Sequence, residues 1–315
     1  MKYYLGIDVG GTFIKGALVN EKGEILTNGK IPTDRKIGGE KIIYDIADFC
    51  KKLAGDFGIE LSAVSGIGMG IPGIADGKNG IITYVPKLKW HGFKGAELLT
   101  GLTGLPVKIS NDANAAALGE TKFGAGKRYR NTVMITLGTG VGGGVIIDGK
   151  LFEGNQGAGT ELGHTVIVVG GERCDCGRHG CLEAYASATA LIRDTRRAME
   201  NNPTSKLWEL GSLDKVDGKS AFDYYEIDDD AKRVVDSYIE KLATGIANFA
   251  NIFRPEAIII GGGVCAQGES LIAPLEKLFN EELFAKGVAP DVDIIVAELG
   301  NNAGSLGAAA LMMDN

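Results

Sequence analysis

The chain has 315 residues, and its 33 Lys and Arg against 40 Asp and Glu give a formal net charge of -7. This acidic balance argues against a nucleic-acid-binding or anionic-membrane surface, and hydrophobic and charged shares of 44% and 23% argue against a disordered chain. The length favours two domains.

The first cycle of predicted elements begins with two strands joined by a glycine turn. Apolar runs bounded by turn residues predict strands, and apolar residues at helical spacing predict helices. In chain order these are strands at 3–9, 13–19 and 24–31, a helix at 39–57, strands at 64–73 and 105–110, and an alanine-rich helix that opens at Asn111-Asp112 and ends near 123.

A second cycle begins near residue 132 and repeats the order strand, glycine turn, strand, polar turn. The separation of about 130 residues is too long for a solenoid repeat, so it indicates two related α/β domains from one duplicated unit. The predicted elements are strands at 132–138 and within 141–150, a Gly-rich and Cys-rich loop at 154–181, helices at 183–200 and 231–252 around an acidic loop at 209–230, a strand at 256–264, a helix at 269–284, a strand at 292–296 and a helix at 302–313.

Neither a membrane span nor a secretory signal is predicted. The longest uncharged stretch, Asn131 to Ile147, contains five glycines, and only a few apolar residues separate Lys2 from Asp8. We therefore expect a cytoplasmic protein, in which three cysteines within residues 174–181 favour a metal site over a disulfide.

The segment Asp8-Val-Gly-Gly-Thr-Phe-Ile-Lys15 is the first candidate site. A carboxylate at the end of a buried strand, followed by two glycines and a hydroxyl, suits a phosphate group and its metal, and Asp8 could hold Mg²⁺ directly or through water. The alternative is a hairpin turn in which the glycines supply geometry and Asp8 a local hydrogen bond.

Two later glycine segments point to a nucleotide. The run from Gly138 to Gly144 contains GxGxxG but is followed by a strand, whereas a dinucleotide fingerprint needs a helix there. A Walker A motif is absent, because Leu213 stands where Gly218-Lys219-Ser220 requires a glycine. The segment from Gly138 to Gly144 is therefore either a second phosphate-facing hairpin or a turn needed for packing only. The later glycine turn at 261–263 leaves room for a flat ring such as adenine.

The segment Ser110-Asn111-Asp112-Ala113-Asn114 has two interpretations. Asn or Asp at a helix start is a common N-cap, which stabilises by ~1 kcal/mol. Alternatively, Asp112 faces a substrate hydroxyl as general base and Asn111 orients the same substrate.

The cysteine cluster predicts a structural zinc site. Cys174, Cys176 and Cys181 can supply three thiolates, and one imidazole would complete a closed tetrahedron. His164 and His179 compete for this fourth position. The zinc would hold the 154–183 loop, which contains Glu161 and Glu183.

Together these segments resemble the ROK family of bacterial sugar kinases, repressors and open reading frames. The resemblance extends in order from about residue 4 to about residue 310, and the cysteine block is most similar to that of the family's ATP-dependent glucokinases. It is carried by DVGGTFIK, NDANAAALGE, LGTGVGGG, ELGH, CDCGRHGCLEAYAS and FRPEAIIIGGGV.

The resemblance implies the actin-like, hexokinase-like fold, a duplicated ribonuclease-H-type α/β fold with a cleft between two domains. We expect a small N-terminal domain of residues 1–111 plus 302–315 and a large domain of residues 112–301 that carries the zinc loop. Homodimers or homotetramers are the expected assemblies.

The resemblance also implies roles for individual residues, with Asp112 as the catalytic base. The implied sugar ligands are Asn111, Asp112, Glu161, His164 and Glu183. The implied zinc ligands are His164, Cys174, Cys176 and Cys181. The implied ATP contacts are Asp8, Gly10, Gly11, Thr12, Lys15, Gly138, Thr139, Gly140, Gly261, Gly262 and Gly263.

The expected reaction is transfer of phosphate from ATP, with Mg²⁺, to the 6-hydroxyl of glucose. One rival is a kinase for fructose, mannose or an N-acetylated hexosamine, because selectivity depends on pocket shape. A second is a sugar-responsive repressor, which the acidic charge and the early DVGGT segment disfavour. A third is a zinc-stabilised sugar-binding module without catalysis, which Asp112 and the glycine hairpins disfavour.

Overall fold

The computed structural model describes residues 1–34, 39–85 and 88–313. The strands are β1 (Tyr3–Val9), β2 (Phe13–Asn20), β3 (Ile25–Pro32), β4 (Val64–Ile71), β5 (Ile74–Asp76), β6 (Ile81–Val85), β7 (Trp90–Phe93), β8 (Val107–Asn111), β9 (Thr132–Leu137), β10 (Val141–Ile147), β11 (Lys150–Phe152), β12 (Ala257–Gly261) and β13 (Asp293–Val296). The helices are α1 (Gly39–Phe57), α2 (Gly95–Thr103), α3 (Asp112–Phe123), α4 (Glu183–Ala186), α5 (Ala188–Asn201), α6 (Ser220–Asp223), α7 (Asp229–Phe253), α8 (Glu269–Glu282) and α9 (Ala303–Ala310).

These elements confirm the α/β class and most of the predicted strands and helices. The single helix predicted at 183–200 is wrong, because Ser187 has an extended backbone and caps α5 with its side chain, which separates α4 from α5. Four short strands, β5 to β7 and β11, and the helices α2 and α6 were not predicted. Their apolar runs are too short for periodicity to reveal.

The chain divides into two compact units, and unit 1 comprises Met1–Thr132, Gly144–Thr160 and Ala297–Asn315. Its main sheet has the strand order β3-β2-β1-β4-β8, in which β1 is antiparallel to β2 and parallel to β4. A smaller antiparallel sheet has the order β5-β6-β7. The fully buried side chains of Leu5, Ile7 and Ile67 pack with those of α1, such as Ile46, so unit 1 has its own hydrophobic core.

Helix α9 lies against both the main sheet and α3, with small residues at each contact. A Cβ on Gly6 would lie 1.8 Å from the carbonyl oxygen of Ser305, and one on Gly307 would lie 1.6 Å from that of Ala115. Backbone therefore packs on backbone at these points, which only glycine permits.

The close packing of α3 on α9 places α3 in unit 1, whereas the sequence-based division assigned it to the second domain. Residues 35–38, 86–87 and 314–315, which that division put in the first domain, lie outside the described residues.

Unit 2 comprises Val133–Gly143 and Glu161–Val296. Its sheet has the order β10-β9-β12-β13, with β10 contributing its first three residues and β12 parallel to β13. The last three residues of β10 pair with β11 in unit 1. Buried apolar side chains of α7, including Leu242, Ile246 and Phe249, belong to the interior of unit 2.

Across the described ranges, no helix has both the length and the apolar composition that a membrane span requires.

Candidate active site and metal centre

Four side chains of unit 2 form a group with the composition of a tetrahedral metal site. The ligand atoms of His164, Cys174, Cys176 and Cys181 all lie within 4.8 Å of one another. Nδ1 of His164 is 3.5 Å from Sγ of Cys174, and the Sγ atoms of Cys176 and Cys181 are 3.7 Å apart. Zinc–sulfur bonds of 2.3 Å and zinc–nitrogen bonds of 2.0 Å predict tetrahedral edges of about 3.8 and about 3.5 Å. These two distances match those edges, and the group is compatible with a structural zinc ion.

The local fold brings His164 to the cysteines. A single turn of 3-10 helix, Leu162–His164, orients the histidine, and the guanidinium of Arg178 donates to its carbonyl oxygen over 3.2 Å. Val166 pairs with Cys181 in an antiparallel bridge. His179 is exposed and lies outside the group among the described residues. The residue types alone left this choice open.

Glu183 connects the metal group to the second glycine segment. It is the first residue of α4, and its Oε2 accepts the backbone N–H of Val141 over 2.9 Å. Its Oε1 lies 3.7 Å from Sγ of Cys174. A Cβ on Gly140 would lie 2.3 Å from Oε2, so glycine is needed there for the carboxylate to approach.

The two glycine segments of unit 2 lie side by side. Two hydrogen bonds from the start of α5 fix the turn at Gly138 and Thr139. The hydroxyl of Thr189 donates to the carbonyl of Thr139, and the N–H of Ala188 donates to the carbonyl of Gly138. Gly262 has a φ of 91°, and a Cβ on it would lie 2.4 Å from the carbonyl oxygen of Leu137 at the end of β9. The structure thus brings the predicted phosphate turn and the predicted adenine turn together.

Asp8 and Lys15 occupy facing positions in unit 1. They are partners in the antiparallel pair of β1 and β2, and the turn between these strands is closed by Gly10, whose N–H donates to the carbonyl of Phe13. Burial raises the pKa of Asp8 above its usual value, and the charge of Lys15 opposes this shift. Nζ of Lys15 donates to Oδ1 of Asn301 over 3.3 Å.

The NDAN segment places Asn111 and Asp112 at the start of α3. Asn111 is the N-cap, because its Oδ1 accepts the N–H groups of Ala113 and Asn114, while its Nδ2 donates to the carbonyl of Gly73. Asp112 is the first helical residue. The cap is therefore supplied by Asn111, while Oδ1 of Asp112 also accepts the N–H of Ala113 over 2.8 Å.

Two carboxylates of unit 1, one buried and one half-buried, were not singled out in the sequence. Glu120 on α3 is fully buried and accepts three backbone N–H groups. Glu153 accepts the hydroxyl of Ser110 over 2.5 Å, and burial raises its pKa, to which Asp76 also contributes. The small and apolar residues that precede Glu120 in α3 are a sequence signal that this part of the helix is buried, and Glu120 with it.

The predicted residues are divided between the units. Unit 1 contains Asp8, Gly10, Gly11, Thr12, Lys15, Asn111 and Asp112. Unit 2 contains Gly138, Thr139, Gly140, Glu161, His164, Cys174, Cys176, Cys181, Glu183, Gly261, Gly262 and Gly263.

Comparison with known proteins places this arrangement in context. A model described as the ROK family matches residues 4–315. A glucokinase of Halalkalibacterium halodurans is 40% identical over 97% of this chain and 93% of its own length. A glucokinase of Thermotoga maritima is 38% identical over 98% and 97%. The crystal structure of a ROK family glucokinase from Streptomyces griseus in complex with glucose and AMPPNP has a TM-score of 0.82 and 35% identity, with 98% of both chains covered. This likeness confirms the expected actin-like, hexokinase-like fold.

Proposed function

Because the chain belongs to the ROK family, we propose that it is an ATP-dependent kinase that phosphorylates glucose at its 6-hydroxyl. The observation that carries this function is the nearly full-length similarity to two glucokinases. The likeness to a ROK glucokinase in complex with glucose and AMPPNP supports both substrates.

The nucleotide end of the reaction belongs to the glycine turns. Backbone N–H groups at Gly10, Gly11 and Thr12, and at Gly138 to Gly140, suit phosphate oxygens, and the turn at Gly261 to Gly263 suits adenine. Asp8 is the residue that would hold Mg²⁺, since a carboxylate oxygen is a preferred magnesium ligand. Lys15, facing Asp8, adds positive charge for the phosphates.

Asp112 is the proposed general base. A carboxylate at this position takes the proton of the 6-hydroxyl as the oxygen bonds to the terminal phosphorus of ATP, the bond from that phosphorus to the bridging oxygen breaks, and ADP leaves. Asn111, Glu161, His164 and Glu183 are the proposed ligands for the other sugar hydroxyls. Because phosphoryl transfer needs little covalent chemistry from the protein, positioning and charge stabilisation carry most of the rate.

Zinc is the proposed occupant of the His164 and cysteine group. Three thiolates and one imidazole leave no open coordination position, so the metal supplies structure and no reactive ligand. His164 directs Nδ1 toward Cys174, and its Nε2–H is then available to a sugar hydroxyl. We further propose a cytoplasmic homodimer or homotetramer.

A coupled assay against a panel of sugars and phosphoryl donors tests the function. We expect glucose with Mg·ATP to give the highest kcat/KM. A higher kcat/KM with mannose, fructose or an N-acetylated hexosamine would replace glucose as the substrate. Absence of phosphorylation of every hexose by zinc-loaded protein would contradict the kinase assignment.

A further inference from the structure

Glu120 is a fully buried carboxylate on α3, eight residues after Asp112. Burial of a carboxyl group is unfavourable unless hydrogen bonds compensate for its lost hydration. Glu120 obtains its hydrogen bonds from the backbone. Oε1 accepts the N–H of Leu299 over 2.8 Å, and Oε2 accepts the N–H groups of Ala125 and Glu298, each over 3.1 Å.

These bonds join two distant parts of the chain within unit 1. Ala125 belongs to the turn that ends α3, while Glu298 and Leu299 begin the segment that leads into α9. A Cβ on Gly124 would lie 2.0 Å from Oε2 of Glu120. Glycine at position 124 therefore leaves the space that this carboxylate occupies beside the backbone.

The segment held by Glu120 continues directly to the residues proposed to bind phosphate and magnesium. Two residues after Leu299, Asn301 accepts a hydrogen bond from Nζ of Lys15 over 3.3 Å. Gly304 follows, and a Cβ there would lie 2.8 Å from the carboxyl carbon of Asp8. Residues 298–304 thus touch both Lys15 and Asp8, and Glu120 fixes the start of this segment.

We propose that Glu120 is a positioning residue for Mg·ATP, which acts on Asp8 and Lys15 through residues 298–304. The inference rests on the proposed function, because Asp8 and Lys15 are the proposed phosphate and magnesium residues. Across the described ranges, the hydrogen bonds recorded for this carboxylate all come from backbone N–H groups. Its contribution is to hold Asn301 and Gly304 at the distances that orient the two side chains.

The principal test is Glu120→Gln, which keeps the shape of the side chain but turns one acceptor oxygen into a donor that faces N–H groups. We expect the KM for Mg·ATP and the Kd for Mg·AMPPNP, measured by calorimetry, to rise about tenfold. The KM for glucose should change by less than about twofold, since residues 298–304 include none of the proposed sugar ligands.

Asp228→Asn is the matched control. Asp228 is also a buried carboxylate, and it accepts the N–H groups of Lys206 and Ala231 and the hydroxyl of Ser205. It should lower Tm as Glu120→Gln does, but leave the Kd for Mg·AMPPNP unchanged. An equal rise in the Kd for Mg·AMPPNP in both variants would show that Glu120 affects nucleotide binding only through the general stability of the fold, which would contradict the inference.

Asn301→Ala keeps the inference testable if Glu120→Gln does not fold. Asn301 is exposed, so its removal should leave Tm unchanged and raise the Kd for Mg·AMPPNP about threefold. An unchanged Kd in Asn301→Ala, or in folded Glu120→Gln, would overturn the inference. If wild-type protein binds Mg·AMPPNP but phosphorylates no hexose, the proposed function fails while the Kd measurements still decide the role of Glu120.

Discussion

The backbone N–H of Val141 donates to Oε2 of Glu183 over 2.9 Å. This bond ties the second glycine turn to the helix that begins immediately after the metal group. Because the other oxygen of Glu183 lies 3.7 Å from Sγ of Cys174, one carboxylate touches both the turn proposed to bind phosphate and a proposed zinc ligand. Damage to the metal group should therefore reach beyond the fold of the cysteine loop.

Removal of the proposed base should separate catalysis from folding. Asp112→Asn is expected to lower kcat at least ~10²-fold, because the amide cannot accept the hydroxyl proton, while glucose affinity falls less. Tm should stay close to wild type, since Asn111 provides the cap of α3. Steady-state kinetics and thermal melting provide the measurements, and near-wild-type turnover in Asp112→Asn would refute the assignment.

The metal group should contain about one zinc ion per chain. Cys176→Ser is expected to lower zinc content and Tm and to raise the KM for glucose, because the same loop contains Glu161 and Glu183. Elemental analysis measures the first effect and kinetics the last. Cys265→Ser is the control, because Cys265 lies outside the group. Folded, active wild-type protein without zinc would contradict this prediction.

The two histidines of the loop should respond differently to substitution. His164→Ala is expected to lower zinc occupancy and raise the KM for glucose together, because its Nδ1 faces Cys174 and its other nitrogen is proposed to face the sugar. His179→Ala should do neither, since His179 is exposed. Loss of zinc from His179→Ala with retention in His164→Ala would show that the metal ligand is misassigned.

Asp8 should destabilise the fold while it serves catalysis. Because burial raises its pKa in the folded protein above the ordinary value of 3.8, its ionisation opposes folding. This destabilisation is absent below pH 3.8 and complete once the pH exceeds the folded-state pKa. Asp8→Asn should therefore raise Tm at pH 7, with the difference shrinking as the pH falls toward about 4, and should weaken Mg·AMPPNP binding.

Thermal melts across this pH range, together with calorimetry, test the prediction for Asp8. Asp112→Asn is a suitable comparison, because it alters another proposed site carboxylate of unit 1, at the first residue of α3. A Tm that falls in Asp8→Asn at pH 7 would show that Asp8 stabilises the fold instead.

Local patterns in the sequence determined the main strands and helices and the candidate chemistry. The apolar run at Tyr3–Val9 predicts a strand, and the spacing of Cys174, Cys176 and Cys181 predicts a metal site. Both predictions depend only on residues that are close together in the sequence. Strand alternation, helical periodicity and thiolate spacing all act over a few residues. The resemblance to the ROK family depends on the three glycine turns and the other motifs occurring in a fixed order along the chain.

Contacts between residues far apart in the chain could be decided only by the tertiary structure. His164 and His179 are equally good imidazole ligands by composition, and only the turn at Leu162–His164 brings one of them to the cysteines. The carboxylate of Glu120 accepts hydrogen bonds from the N–H groups of Glu298 and Leu299, which lie 178 and 179 residues further along the chain. No local pattern encodes such a partner, because hydrogen bonds of this kind depend on where packing of α9 against α3 places the backbone.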